Sequence, residues 1–501
     1  MANSFAISRS HLIYGFCLPL AVVIGYLLGS PLENGSVAVI VLVLSVLSVP
    51  LLMRWHHPLL IFTWNAVIVP SFVPGKPVLW MILAGLSLSF SVLNRSVGQP
   101  LNFFQARSVA KALLFLGIVV LITALLTGGM GMAGLGGDSA GGKRYFYIFA
   151  AMVGYFALST YKIPSHRVRL YVALFFLSGV TSLLGYLALA GGPFPFIVNT
   201  FFSPDAGMTE VADQDIFGPE SIARLGDVAT AASAVACWLM ARFGIRGLLD
   251  LKKPWRGMVF AGMLVASMFG GYRSMLILLG LTFVLLFYFE GLFRTRYFLI
   301  LGLAGAVTGL VVVANLHKMP LPVQRTLSFL PLNVDPIVRQ DAEGSTQWRL
   351  EMWKEILPDV PKYLIKGKGY GINPGEFFLA RESAARGFLT SAQTFILTGN
   401  YHNGPLSVIM PLGIFGSVGF LWFLGAAIKV LLQNYRHGDS SLSKINAFIL
   451  AFFIAHTIIF FFVFGSLYSD LCIFTGLMGL SVSLNGGVCA PSGEPLETVQ
   501  E

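Results

Sequence analysis

The sequence predicts an all-α, polytopic transmembrane helical bundle. Three observations carry that expectation. The chain is 56% hydrophobic, and only 11% of its 501 residues are charged. Its mean hydropathy is +0.77. Its apolar residues also fall in runs of roughly 17–25, the length that crosses a hydrocarbon core of about 30 Å at 1.5 Å per residue. A soluble domain would be about 25% charged. The short alternating segments that build an outer-membrane barrel are missing, so backbone polar groups must be satisfied inside helices.

In chain order the apolar runs fall at about 12–28, 37–53, 58–73, 77–93, 109–127, 145–160, 170–190, 226–243, 257–272, 275–291, 297–315, 404–431, 445–465 and 471–487. They predict about fourteen helices, or about twelve if the pairs joined around 73–77 and 466–470 are re-entrant hairpins. The first run lacks a small-residue cleavage site and reads as a retained anchor. The expected organisation is an N-terminal membrane bundle (1–315), one long hydrophilic loop (316–403), C-terminal membrane helices (404–488) and a tail (489–501).

The net charge of +10 could signal nucleic acid, but the cations are spread through the loops and do not form one basic face. Topology accounts for them better. With the N-terminus inside, short cytoplasmic segments hold eighteen of the 33 Lys and Arg residues, and short external ones hold five: Lys76, Lys143, Arg144, Arg224 and Arg273. Basic residues in short loops are retained in the cytoplasm. Both termini are therefore expected inside, and the long loop outside. The external segment 191–222 and the junction around Gly270 can meet that loop.

Candidate chemistry gathers on the external side. His402, in TGNYHNGPLSVIMPLGIFG, sits where the long loop enters the next helix. An imidazole with a pKa near 6.5 there could accept a hydroxyl proton. The plainer alternative is an interfacial histidine with Tyr401 as an aromatic anchor. Arg224 and Arg273 stand at external helix ends, against the charge bias, which implies a partner. That partner is either a loop carboxylate (Glu210, Asp213, Asp215 or Glu220) or an anionic head group held by the planar guanidinium fork.

Within the long loop, a helix is expected from a Ser345 or Thr346 cap, with Trp348, Met352, Trp353, Ile356 and Leu357 at helical spacing. It would lie on the bilayer or on the bundle. Arg349 at its start could reach an anion, or be a solvated or Glu-paired surface charge. Gly367, Gly369 and Gly371 would allow close backbone approach to a ligand. They are not a dinucleotide fingerprint, because no strand precedes them.

Four pieces, in order, resemble the O-antigen ligase and polymerase family of bacterial envelope enzymes: ARLGDVATAASAVA at Arg224, GGYRSMLILLG at Arg273, QWRLEMWKEILPDVPKYLIKGKGYGINPGEFF, and YHNGPLSVIMPLGIFGSVGFLWFL at His402. Gly-Gly-Tyr stands before Arg273 where family members usually carry Ser or Thr. The resemblance implies a GT-C-like fold and a glycosyltransferase using an undecaprenyl-diphosphate-linked saccharide as donor. It also implies a glycan, lipid or protein hydroxyl acceptor and a place in the bacterial inner membrane. In that reading Arg224, Arg273 and Arg349 hold the diphosphate, and His402 is the general base. Tyr401, Asn403 and Tyr370 would support them. No metal, other cofactor or nucleic acid is expected, because guanidinium groups can stabilise the anionic leaving group. The alternative function is a transporter or flippase of lipid-linked saccharides or another anionic solute. That role should place charge at mid-membrane depth, where His456 stands nearly alone.

Overall fold

The computed structural model describes residues 34–129, 141–187, 222–371 and 399–491, apart from 72, 74, 97, 99 and 223, together with scattered positions outside these ranges. The external acids Glu33, Glu210, Asp213, Asp215 and Glu220, most of the glycine-rich loop 128–142 and most of the tail lie outside the described residues.

Two compact units divide at 57/58. The first is described chiefly through the start of α1 (Asn34–Thr63). In the second, α2 (Leu79–Ser96), α3 (Arg107–Thr127), α4 (Gly142–Ser159) and α5 (Val168–Leu177) are followed by α6 (Gly226–Leu248), α7 (Trp255–Met268), α8 (Arg273–Phe289) and α9 (Arg296–Asn315). The segment after α9 contributes α10 (Leu321–Leu327) and α11 (Pro336–Ile356). Then come α12 (Gly404–His437), α13 (Ser443–Phe462) and α14 (Leu467–Asn485). Eight helical stretches among the described residues are long and apolar enough to cross a membrane, while α7 and α8 are shorter apolar helices. The all-α membrane bundle read from composition is the observed architecture.

Among the described residues the run at 58–73 departs from expectation, while the run at 12–28 lies outside them apart from scattered positions. Residues 58–63 finish α1, and 64–78 form no helix. Pro70 and Pro77 remove amide donors there, and neighbours from across the chain take up the polar groups. Asn65 Nδ2 donates to the Phe175 carbonyl at 2.8 Å, and the Val67 amide donates to Thr181 Oγ1 at 2.9 Å. The Val69 and Ser71 amides donate to the carbonyls of Phe201 and Thr200 at 2.7 and 2.9 Å.

The helix of the hydrophilic segment also begins earlier than expected. Asp335 caps α11 by accepting from the Ile337 amide at 2.9 Å, with Pro336 in the first turn. Ser345 and Thr346 are interior, and their hydroxyls bond back to the Ala342 carbonyl. An Asp-Pro start outcompetes a mid-helix Ser-Thr pair whose hydroxyls the preceding turn can satisfy.

Of the two resting places open to this helix, its apolar stripe takes the bundle. Met352 and Ile356 are buried with Tyr401, Leu406 and Met410, while Trp348 and Trp353 pack alongside. A second cluster joins Val338 of α11 and Val323 and Leu327 of α10 to Leu316 and Ile222, with Met268, Phe269 and Leu276 against it. The segment is thus fastened over the ends of α7, α8, α9 and α12.

Gly367 and Gly369 approach backbone, where a ligand had been expected. Pro411 lies inside α12, and Gly413 breaks the helix with φ +65°. The broken ladder is repaired from outside: the Lys368 and Gly369 amides donate to the Met410 and Pro411 carbonyls at 2.7 and 3.0 Å, and the Ile414 amide donates to the Leu364 carbonyl at 2.7 Å. Gly367 and Gly369 have φ of +75° and +74°, which glycine adopts at no steric cost.

Candidate active site

The turn into α8 builds the first half of the site. Gly271, at φ +67°, directs its carbonyl to Arg325 Nη1, which donates to it at 2.6 Å. Arg325 comes from α10, is only 5% exposed, and also donates through Nε to Asp341 of α11. The same carboxylate faces Arg224 Nη2 at 3.9 Å. Arg273 Nη2 donates to the Ala342 carbonyl at 3.3 Å and to Ser345 Oγ at 2.9 Å. Three guanidinium groups from separate elements thus gather around Asp341. Burial, followed by the charge of Arg224, pushes the Arg325 pKa below its ordinary value, while Asp341 opposes the shift. The Gly-Gly-Tyr departure serves this junction, since a Cβ on Gly270 would stand 2.6 Å from the Ala229 Cβ.

The second half lies further along the same helix. Trp348 is seven residues, or about 10 Å, beyond Asp341 on the same face of α11. Its ring meets the His402 imidazole with centroids 5.2 Å apart, and the Phe464 ring also lies 5.2 Å from the imidazole. Arg349 is half-buried, with its guanidinium 5.4 Å from the Trp348 ring centre. His402 is 7% exposed and has a left-handed φ of +46°. A non-glycine residue there carries backbone strain of the kind found at functional sites.

The ordinary pKa near 6.5 expected for His402 needs correction. Burial, followed by the charge of Arg349, pushes it down to about 3. The imidazole is therefore neutral at neutral pH.

The remaining candidates have structural contacts. Asn403 caps α12, its Oδ1 accepting from the Leu406 amide at 3.0 Å. The Tyr401 carbonyl accepts from Trp353 Nε1 at 2.9 Å, and its buried ring belongs to the cluster beneath α11. Tyr370 is buried beside Arg144, which also acts on Tyr401: its amide donates to Tyr145 Oη at 3.0 Å, and the Arg144 guanidinium lies 5.8 Å from its ring centre.

Sequence reasoning missed Arg325, Asp341 and Phe464, which no motif marked. It also missed the partner of His456, whose Nε2 lies 3.2 Å from Asp470 Oδ1, while Asp470 Oδ2 accepts from the Ser466 amide at 2.6 Å. His456 and Asp470 thereby secure the hairpin that carries Phe464. Among the described residues, no group of three or more His, Cys, Asp and Glu is placed to hold a metal ion.

Residues 223–421 match the family model described as O-Antigen ligase. No curated protein matches the chain. The matched segment contains both halves of the site except Phe464: Arg224, Arg273, Arg325, Asp341, Trp348, Arg349 and His402. With its apolar helices, the chain is a multi-pass membrane protein whose residues 223–421 are similar to the O-antigen ligase family.

Proposed function

We propose that this protein is a metal-independent glycosyltransferase that moves a saccharide from undecaprenyl diphosphate to a hydroxyl acceptor at the external face of the bacterial inner membrane. The match of residues 223–421 to the O-antigen ligase family supports membrane glycosyltransferase activity of the ligase or polymerase type. The finer reading is carried by one observation: a single helix, α11, touches the arginine cluster through Asp341, Ala342 and Ser345 and touches His402 through Trp348.

Three guanidinium groups against one carboxylate leave excess positive charge, which suits a diphosphate. Arg224 and Arg273, with Arg325 braced behind them, hold the donor and stabilise charge as it develops on the leaving group. The acceptor oxygen bonds to the anomeric carbon, the glycosyl–phosphate C–O bond breaks, and its electron pair leaves with the diphosphate. The acceptor proton passes to His402, which must be neutral to take it. Its pKa of about 3 makes it a weak base in the empty site. Arg349, the third arginine of the diphosphate reading, is the second cause of that depression after burial, so a donor phosphate reaching it offsets that part of the shift.

The bias of basic residues supports cytoplasmic termini and an external side for the hydrophilic segment 316–403. Envelope glycans in a deletion strain test the whole reading. Shortened polymer identifies a polymerase, and full-length polymer stranded on its lipid carrier identifies a ligase. Carrier-linked saccharide trapped on the inner leaflet would replace both with transport.

A further inference from the structure

Helix α11 has a second face. Glu343, Thr346, Gln347 and Leu350 follow one another at i, i+3, i+4 and i+7, which aligns them along one flank. All four are exposed, and with Ser328 and residues 330–334 they line a cleft of about 560 Å³, within the range of small-molecule sites. Arg273 and Ala342 belong both to this cleft and to the arginine cluster, so the cleft opens directly beside the proposed diphosphate position.

We infer that this cleft holds the donor's saccharide and reads its hydroxyl groups. The inference rests on the diphosphate reading above and extends it. A carboxylate, an amide and a hydroxyl on one flank offer both donors and acceptors, which a sugar hydroxyl needs because it is both. Leu350 and Leu332 offer apolar surface to the C–H face of a sugar ring. The order along the site matches the order of atoms in a lipid-linked saccharide: diphosphate at the arginines, sugars beyond Arg273.

The test measures binding to the purified full-length protein in nanodiscs. One probe is bare undecaprenyl diphosphate, and the other is the lipid-linked saccharide pool extracted from a strain lacking this protein. The original protein is expected to bind the saccharide form about tenfold more tightly than the bare carrier. Two variants should lose that preference while holding the bare carrier within about twofold: Glu343→Ala/Gln347→Ala, and Thr346→Trp, which fills the cleft from an exposed position. No preference in the original protein, or full preference in both variants, overturns the cleft assignment but leaves the diphosphate site standing. Failure of the original protein to bind even the bare carrier overturns both.

Discussion

The Trp348 indole stands edge-on to the His402 imidazole, with ring centroids 5.2 Å apart and planes at 88°. Trp348 thereby supplies one wall of the histidine's dry environment from the helix that also carries Asp341. The proposed base and the proposed anion clamp share one rigid support, so a shift of α11 disturbs both.

The pH dependence follows from that wall. The folded pKa of His402, about 3, lies below the ordinary 6.5, so between those values the unfolded chain binds more protons than the folded one. This residue's contribution to stability is therefore constant above about pH 6.5 and falls as pH drops toward 3. In kcat/KM, the acid limb should lie well below 6.5 and move up toward it in Trp348→Ala, where water reaches the ring. A limb already at 6.5 in the original protein would contradict the burial argument.

Removing the base should be separable from damage to the fold. Asparagine tolerates the left-handed backbone of residue 402, so His402→Asn should melt close to the original temperature while transfer slows by about 10²–10⁴-fold. Initial rates with a purified lipid-linked donor check this. A variant that keeps more than about a tenth of the rate would remove His402 from the chemistry.

Asp341 braces the arginines without touching the reacting atoms. Asp341→Asn leaves Arg325 and Arg224 without their shared carboxylate, which should cost on the order of 1–3 kcal/mol of stability. It should also raise the donor KM more than it lowers kcat. Unchanged donor affinity would show that the arginines are positioned by something else.

The repair of the α12 break gives a test of stability alone. A Cβ on Gly367 would stand 2.3 Å from the Pro411 carbonyl oxygen, at a φ of +75°. Gly367→Ala should therefore destabilise by about 2 kcal/mol or more. Gly344→Ala, inside α11 with nothing within 4 Å, should instead stabilise by up to about 1 kcal/mol. Thermal unfolding in detergent compares the two, and equal midpoints would discount the packing argument at Gly367.

Local signals were read well where local physics settles them. The apolar runs at 109–127 and 226–243 appear as helices because a bilayer-length stretch must close its own hydrogen bonds. The run at 58–73 failed because partners far along the chain satisfied its backbone better than a helix could. Ser345 failed as a helix start because Asp335 offered the stronger cap ten residues earlier. The positions of His402, Arg224 and Arg273 at helix entrances were legible from hydropathy. Arg325 was one cation among ten in its segment and carried no distinguishing neighbour.

Composition and run length thus settle the class of this protein, because lipid offers the backbone no hydrogen-bond partner and so restricts what can span it. They also bring the arginines and the histidine to helix ends. They do not specify which carboxylate Arg224 and Arg325 share or how basic His402 is. Those properties belong to electric fields and desolvation, which depend on what lies within a few ångströms, and in this fold those neighbours arrive from α10, α11 and the hairpin before α14.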